Sequence, residues 1–198
     1  MEIYILMKRI TILLLAAFAA VGVASAQSDW KLDKVHSSIT FTVKHMVISN
    51  VTGSFKDFAI TLKSAKDDFS DATVQSTIKV GSLSTDNDKR DAHLKSDDFF
   101  NAEKYPEINF KSTSFEKLSE TKYKITGDLT IRDVTKNVTF DVVLNGTLKT
   151  THGVLSAWKA TTTINRFDYN LKWNKTIETG GLIVGQDVII TLNLELNK

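Results

Sequence analysis

The chain of 198 residues has no cysteine, a single proline and nine scattered glycines. Without a thiol there is no disulfide, no thiolate nucleophile, no cysteine ligand for a metal and no lipid-anchored cysteine, so the fold must rest on its apolar core. The glycines build neither a phosphate-binding loop nor a linker, and no low-complexity tract or internal repeat interrupts the chain. A formal net charge of +2, with no concentrated basic run, removes the electrostatic case for nucleic acid. No Gly-x-Ser-x-Gly elbow, His-x-His or His-Glu-x-x-His spacing occurs. His36, His45, His93 and His152 are dispersed, so a metal site would have to be assembled by folding alone. The expectation is a protein without catalytic residues, metal or cofactor.

Long apolar runs are also scarce. The one present, Ile10 to Val23, follows Met7-Lys8-Arg9 and precedes Ala24-Ser25-Ala26. That order reads as a secretory signal peptide over residues 1–26, with Met7 an alternative start. As a membrane span the run is shorter than the ~20 residues needed, and it ends in small residues instead of a charged stop. The mature chain then begins at about Gln27, is periplasmic or secreted, and forms one domain over 27–198 with no transmembrane segment. Losing Glu2, Lys8 and Arg9 with the leader lowers the formal charge to +1. Asn-x-Thr sequons at Asn50, Asn137, Asn145 and Asn174 read as ordinary turn and strand chemistry in such a protein.

What the mature chain does have is period-two alternation. Ile39, Phe41 and Val43 alternate with Thr40, Thr42 and Lys44, and Ser54 to Lys63 repeats the pattern with Phe58, Ile60 and Leu62. Between them His45 to Asn50 is a connection ending at Gly53, a short turn of helix whose Met46 and Val47 are expected to pack beneath it. Thr73 to Leu83 is a further strand. Later strands carry Ile108 and Phe110; Tyr123, Ile125, Leu129 and Ile131; Val138, Phe140, Val142 and Leu144; Trp158, Ala160, Thr162 and Ile164; and Val188, Ile190, Leu192, Leu194 and Leu196. Gly127 suggests a bulge or bend, and Asn145-Gly146 a tight turn or local bend.

The period changes only between Thr85 and Ser112. Thr85 or Asp86 is placed to cap a helix through Lys95, Ser96-Asp97-Asp98 to start a second short turn carrying Phe99 and Phe100, and Pro106 to fix re-entry into the sheet. About eight half-apolar strands with short connections fit an antiparallel sandwich or an up-and-down barrel. The barrel is preferred, because closure removes edges that a chain with one proline has little means to protect. The predicted fold is therefore all-β with a short helical insertion, an eight-stranded antiparallel lipocalin-like β-barrel.

Several motifs resemble one family. Arg90-Asp91-Ala92-His93-Leu94-Lys95-Ser96 with Phe99-Phe100, then Lys104-Tyr105-Pro106 and Ile108-Asn109-Phe110, is similar to the signature of the YceI-like proteins. Leu32-Asp33 with His36-Ser37 resembles that family's opening, Val51 to Phe55 its second strand, and Gly127 to Lys136 its central hairpin, so the likeness spans nearly the whole mature chain. It implies an exported barrel holding a polyisoprenoid, a quinone or a similar amphiphilic lipid, in a family whose members can pair as homodimers. One departure is Asn170, where many members have glycine; Asn tolerates the left-handed region, so the turn is expected to survive.

A prenyl or acyl tail needs apolar walls, at about 0.8 kcal/mol per buried CH₂, and little directional chemistry. The expected lining is Phe41, Phe58, Ile60, Ile78, Phe110, Ile125, Phe140, Val142, Trp158, Ile190 and Leu192, with Leu94, Phe99 and Phe100 closing over the mouth. The same residues would equally meet in a filled core, and only volume separates the two cases. Arg90, His93 and Lys95 are the candidates for a polar head group by charge-assisted hydrogen bonds. Against that, Arg90 and Asp91 could anchor the helix to the barrel. Two other readings stay open: an envelope stress or interaction protein with a filled barrel, and a small enzyme on the same scaffold.

Overall fold

A computed structural model describes residues 28–198 except 152, 177 and 179. The expected leader (1–26) and His152 lie outside the described residues. The chain runs through β1 (Ser28–Leu32), β2 (Ser38–His45), β3 (Ser49–Phe55), β4 (Phe58–Ser64), β5 (Thr73–Lys79), β6 (Leu83–Ser84), α1 (Asp88–Lys95), β7 (Glu107–Lys117), β8 (Lys122–Ile131), β9 (Val134–Thr150), β10 (Gly153–Asn165) and β11 (Val184–Asn197).

All strand pairings are antiparallel, and they close on themselves. From β1 the hydrogen bonds pass through β4, β5, β7, β8, β9, β10 and β11 and return to β1, where Lys31 and Leu32 pair with Asn197 and Leu196. β2, β3 and β6 are continuations of β1, β4 and β5 past local breaks. β2 extends along β11 beyond β1, β3 pairs with β2, and β6 pairs with β3. The eleven segments thus occupy eight positions of a closed meander barrel, as the alternation predicts. β4 shows why the pattern works: Phe58, Ile60, Leu62 and Ser64 are buried while Ala59, Thr61 and Lys63 face outward.

Breaks and bulges bend the strands into closure. Asn145 is left without a cross-strand partner where the β9–β10 register shifts, so Asn145-Gly146 is a bend within β9 and not a turn between strands. Opposite Gly127, β7 shifts register between Ser112 and Ser114. A Cβ at Gly127 would lie 2.4 Å from the Lys111 carbonyl and 2.6 Å from the Phe110 ring, and one at Gly53 would lie 2.3 Å from the Phe41 ring. Each glycine lets an inward phenylalanine lie flat across the neighbouring backbone.

Several local expectations are corrected. Residues 46–48 form a hairpin turn between β2 and β3, not a turn of helix, and Gly53 belongs to β3. Met46 and Val47 are exposed, not packed beneath the turn. The strand through Leu83 is interrupted by a 3-10 turn over Val80–Ser82. The cap of α1 is Asn87, whose side chain accepts from the Arg90 N–H at 2.9 Å. Asp86 is excluded because its φ of 58° lies in the left-handed region, and Thr85 is engaged elsewhere. Ser96 ends α1 and opens the succession of turns that carries Phe99 and Phe100. Pro106 precedes β7, and its carbonyl accepts from the Val80 N–H at 2.9 Å, which ties the end of the insertion to the sheet.

Up-and-down order places two sets of connections at opposite ends. The lower end carries the β4–β5, β7–β8 and β9–β10 links; the upper end carries the β2–β3 turn, the α1 insertion, the Arg132-Asp133 turn and the segment from Arg166 to Ile183.

Candidate functional site

The lower end is plugged by aromatic rings. Phe69, in the β4–β5 connection, packs on Trp30 (centroids 5.1 Å apart) and edge-on to Trp158 (4.8 Å), which in turn meets Tyr123 at 5.4 Å. Their polar atoms are paired: Trp158 Nε1 donates to Ser156 Oγ at 2.9 Å and Tyr123 Oη to the Asp68 carbonyl at 3.1 Å. Burial of this phenol pushes the Tyr123 pKa up. The polar atoms of the floor are thus paired within the protein, as buried polar groups require.

Above the floor lies an apolar cavity of about 160 Å³. Its walls include Phe41, Ile60, Ile78, Phe110, Ile125, Phe140, Val142, Trp158, Ile190 and Leu192, expected from the alternation, and Leu94, Phe99 and Phe100, expected from the insertion to close over the mouth. Phe58 is the exception. It is buried, but at the break between β3 and β4 its ring packs into the core and does not reach the cavity wall. Phe55, Leu62, Leu129, Ile131, Ala160 and Leu171 also line the cavity and were not among the expected residues. Period two alone would have found Leu62 beside Ile60, and Leu129 and Ile131 beyond Ile125.

The roof comes from the insertion and from the segment after β10. Phe100 meets Phe55 edge-on at 6.1 Å, and Phe55 meets Phe41 at 5.7 Å. Phe99 is buried against Trp173 (5.4 Å) and His93 (5.1 Å). α1 itself buries only Asp91 and is held by polar contacts rather than by an apolar face. Asp91 Oδ1 accepts from the Thr85 N–H at 2.9 Å and from the Thr85 hydroxyl, while Arg90 Nε donates to Thr85 Oγ1 at 2.7 Å and its Nη2 to the Thr85 carbonyl at 2.8 Å.

None of the proposed head-group contacts stands on the cavity wall. Arg90 is committed to Thr85, His93 Nε2 bonds Asp98 Oδ2 at 2.8 Å between two aromatic rings, and Lys95 is at the helix end, outside the lining. The anchoring alternative describes Arg90 and Asp91. The cation that does line the cavity is Arg166, only 2 % exposed. Its Nε donates to the Gly185 carbonyl (2.8 Å), Nη1 to the carbonyls of Leu171 and Trp173 (the latter 2.8 Å) and Nη2 to that of Val184 (3.0 Å). Among the described residues no carboxylate pairs with it, and burial pushes its pKa down. The signal was present in the sequence: Trp158, Ala160, Thr162 and Ile164 share a face, and the next member of that series is Arg166. Asn170, four residues past Arg166, adopts φ 60° and ψ 20°, as expected of an Asn standing in for glycine, and its amide reaches Asp133 Oδ1 at 3.2 Å.

Among the described residues the histidines do not converge. His36 lies at the β1–β2 break, His45 at the upper end of β2 and His93 in the roof. Among the described residues one set has ligand geometry, Asp33, His36 and Glu195, with donor atoms within 4.8 Å of one another. Here Asp33 Oδ1 caps the N–H groups of Val35 (2.9 Å) and His36 (3.2 Å), and its Oδ2 bonds His36 Nδ1 at 2.9 Å. That hydrogen bond raises the His36 pKa and lowers that of Asp33. The arrangement is that of a capped turn.

Comparison with known proteins agrees with this architecture. Residues 30–196 match the family model of the YceI-like domain. The UPF0312 protein SAB2563 of Staphylococcus aureus (strain bovine RF122 / ET3-1) is 38 % identical over 172 residues, covering 86 % of this chain and 98 % of the relative. A crystal structure of the Campylobacter jejuni YCEI protein superposes with a TM-score of 0.68 at 34 % identity, over 84 % of this chain and 96 % of that one. Burkholderia cenocepacia BcnA shares the fold with a TM-score of 0.72 at 24 % identity, over 83 % and 98 % of the two chains. A polyisoprenoid binding domain from Saccharophagus degradans, implicated in plant cell wall breakdown, shares it with a TM-score of 0.57 at 15 % identity, over 85 % and 97 %.

Proposed function

This chain belongs to the YceI-like family, and from that premise we propose that it is an exported carrier that holds the tail of a polyisoprenoid, or of a quinone with such a tail, inside the barrel. The observation that carries the reading is the cavity: about 160 Å³ enclosed by aliphatic and aromatic side chains, with Thr40, Ser76 and Arg166 the polar members of its lining. A site of that composition recognises hydrocarbon by desolvation. The description of the Saccharophagus degradans domain as polyisoprenoid binding supports the same ligand class.

The volume sets a condition on the ligand. A dry cavity of about 150 Å³ accepts a molecule the size of benzene, so a long prenyl chain enters only if roof rings such as Phe100 and Phe41 swing aside. Transport or sequestration in the periplasm, or outside the cell, follows from the leader expected over 1–26, and pairing into homodimers from the family resemblance. The cavity favours this carrier over a stress or interaction protein with a filled barrel. Lipid extraction and mass spectrometry of the purified protein test it, followed by incubation of stripped protein with a prenyl alcohol in detergent. A prenyl lipid is expected in both; protein that emerges empty and takes up none would refute the proposal.

A further inference from the structure

Met46, Val47 and Ile48 make the turn between β2 and β3 on the upper rim and are 43, 57 and 88 % exposed. The backbone is as unusual as the side chains. φ is +50° at Met46 and +70° at Val47, two successive residues in the left-handed region. Ordinary hairpins give such positions to Asn-Gly, and a β-branched residue there is an outlier. The tip therefore breaks two local rules at once: apolar side chains where water favours polar ones, and valine where glycine fits. Single left-handed residues occur elsewhere in the chain, at Phe69, Asp86, Asn101, Arg132 and Asn170, but among the described residues only this tip sets two in succession and exposes three apolar side chains there; departures of this kind motivate a functional hypothesis.

We infer that residues 46–48 are a finger that inserts into the interfacial layer of an anionic phospholipid bilayer and seats the roof of the barrel against it. The inference rests on the carrier reading given above. Size argues for a bilayer: three side chains on a convex tip are far short of the ~800 Å² per partner of a specific protein interface, whereas shallow apolar insertion is how interfacial segments hold a membrane. Continuity argues for this end of the barrel. The Met46 N–H donates to the Ile183 carbonyl at 2.8 Å, His45 pairs with Val184, and Val43 and Val184 both line the cavity. The finger thus abuts the wall and roof past which a lipid tail would leave. Charge agrees in sign. Lys44 precedes the finger, and Lys175, whose carbonyl accepts from the Ile183 N–H at 2.8 Å, adjoins it with its ammonium 6.0 Å from the Trp173 ring. His45 is the neighbouring titratable group, and Glu178 is the carboxylate on the same loop as Lys175.

The test is flotation of the protein with vesicles of phosphatidylethanolamine and phosphatidylglycerol, and separately with phosphatidylcholine vesicles. The informative variant is Met46→Asn with Val47→Gly and Ile48→Ser, which supplies the residues the turn geometry favours and should not lower the melting temperature. The wild type should float with the anionic vesicles and the triple variant bind them about tenfold more weakly. Lys44→Gln and Lys175→Gln should each weaken binding about fivefold, on anionic vesicles alone. Equal flotation of wild type and triple variant, or none by either, overturns the inference. So does a wild type that sediments as a dimer and a triple variant that sediments as a monomer, which would make the tip a contact between copies. Mass spectrometry on the same preparations separates the two proposals. A triple variant that keeps its prenyl lipid while losing the vesicles isolates docking, and a wild type that floats with an empty lumen sinks the carrier reading alone.

Discussion

Arg166 donates to four backbone carbonyls and has no carboxylate partner among the described residues. Buried cations are usually paired with carboxylates; here the planar fork of the guanidinium is matched to backbone carbonyls just after the 3-10 turn Arg166–Tyr169 and at the start of β11. Arg166→Met removes the charge but strands the carbonyls of Leu171, Trp173, Val184 and Gly185, so a loss of about 3 kcal/mol is expected, visible as a fall of roughly 6 to 12 °C in melting temperature. Lysine cannot reproduce the fork, and Arg166→Lys should recover no more than about half of that loss. Tyr169 presents the opposite case. Its hydroxyl is buried and finds no hydrogen-bond partner among the described residues, and burial pushes its pKa up to about 12. Because the folded-state value lies above the ordinary tyrosine pKa near 10, the folded protein disfavours the phenolate, and stability present below pH 10 is lost as pH rises toward 12. Tyr169→Phe should raise stability at neutral pH by about 1 kcal/mol, since an unsatisfied buried hydroxyl is removed. In alkaline thermal melts it should also abolish that part of the decline between pH 10 and 12.

The insertion between β6 and β7 is an element whose existence was legible and whose mode of attachment was not. The change of period after Thr85 announced a helix, and the Phe99-Phe100 pair announced an apolar roof. A helix over a barrel ordinarily buries an apolar stripe, however, and α1 has none; it hangs from Thr85 through Asp91 and Arg90. Arg90 and Asp91 are adjacent in sequence and meet through a third residue, which spacing rules for helix faces do not anticipate. The same limit applies to the cap, because nothing in Thr85-Asp86-Asn87 says which of three good capping residues has the extended backbone until Asp86 takes a left-handed φ. The attachment separates two functions that mutation can resolve. Phe100→Asp places a carboxylate on the cavity side of the roof and should speed release of a bound prenyl probe about tenfold or more, with little change in melting temperature because the residue is only partly buried. Arg90→Ala should do the reverse, lowering stability by about 1 to 2 kcal/mol through the loss of two hydrogen bonds to Thr85 while affecting release less. Phe99 is unsuitable for the comparison, since a charge there would be buried against Trp173. Equal release rates in the two variants would show that the roof does not gate the cavity.

At the scale of the whole barrel, alternation carried most of the information because every strand has one face in and one face out, a binary pattern that survives local irregularity. It placed Ile60, Phe110, Ile125, Phe140, Trp158 and Ile190 on the wall but left out other lining residues of the same strands, such as Leu62, Leu129 and Ala160. It failed where the chain breaks step: no strand was read before Ile39, yet β1 lies along β11 as β2 does; Ser54 to Lys63 reads as one strand, yet turns at Lys56-Asp57, which moves Phe58 off the wall and brings Phe55 onto it. Nor could any pattern decide between a hollow and a filled barrel, because volume depends on side-chain sizes summed across eight positions. The decisive small residue is Ala160. It pairs with Val142 on one side and Leu192 on the other, both lining residues, and its methyl group leaves open the space that a larger side chain would fill. Ala160→Phe would place a benzene-sized ring into a cavity of about 160 Å³, close to the about 150 Å³ known to suit that ring. If the space exists to hold a ligand, the variant should lose prenyl binding by about a hundredfold while its ligand-free form melts no lower than the wild type and gains from the added apolar contacts. If the space is only imperfect packing, the variant should gain the same stability while the lipid recovered from cells is unchanged. Calorimetry of the stripped protein together with mass spectrometry of the cell-purified protein distinguishes these outcomes, because filling a binding cavity trades ligand for stability and filling a packing defect trades nothing.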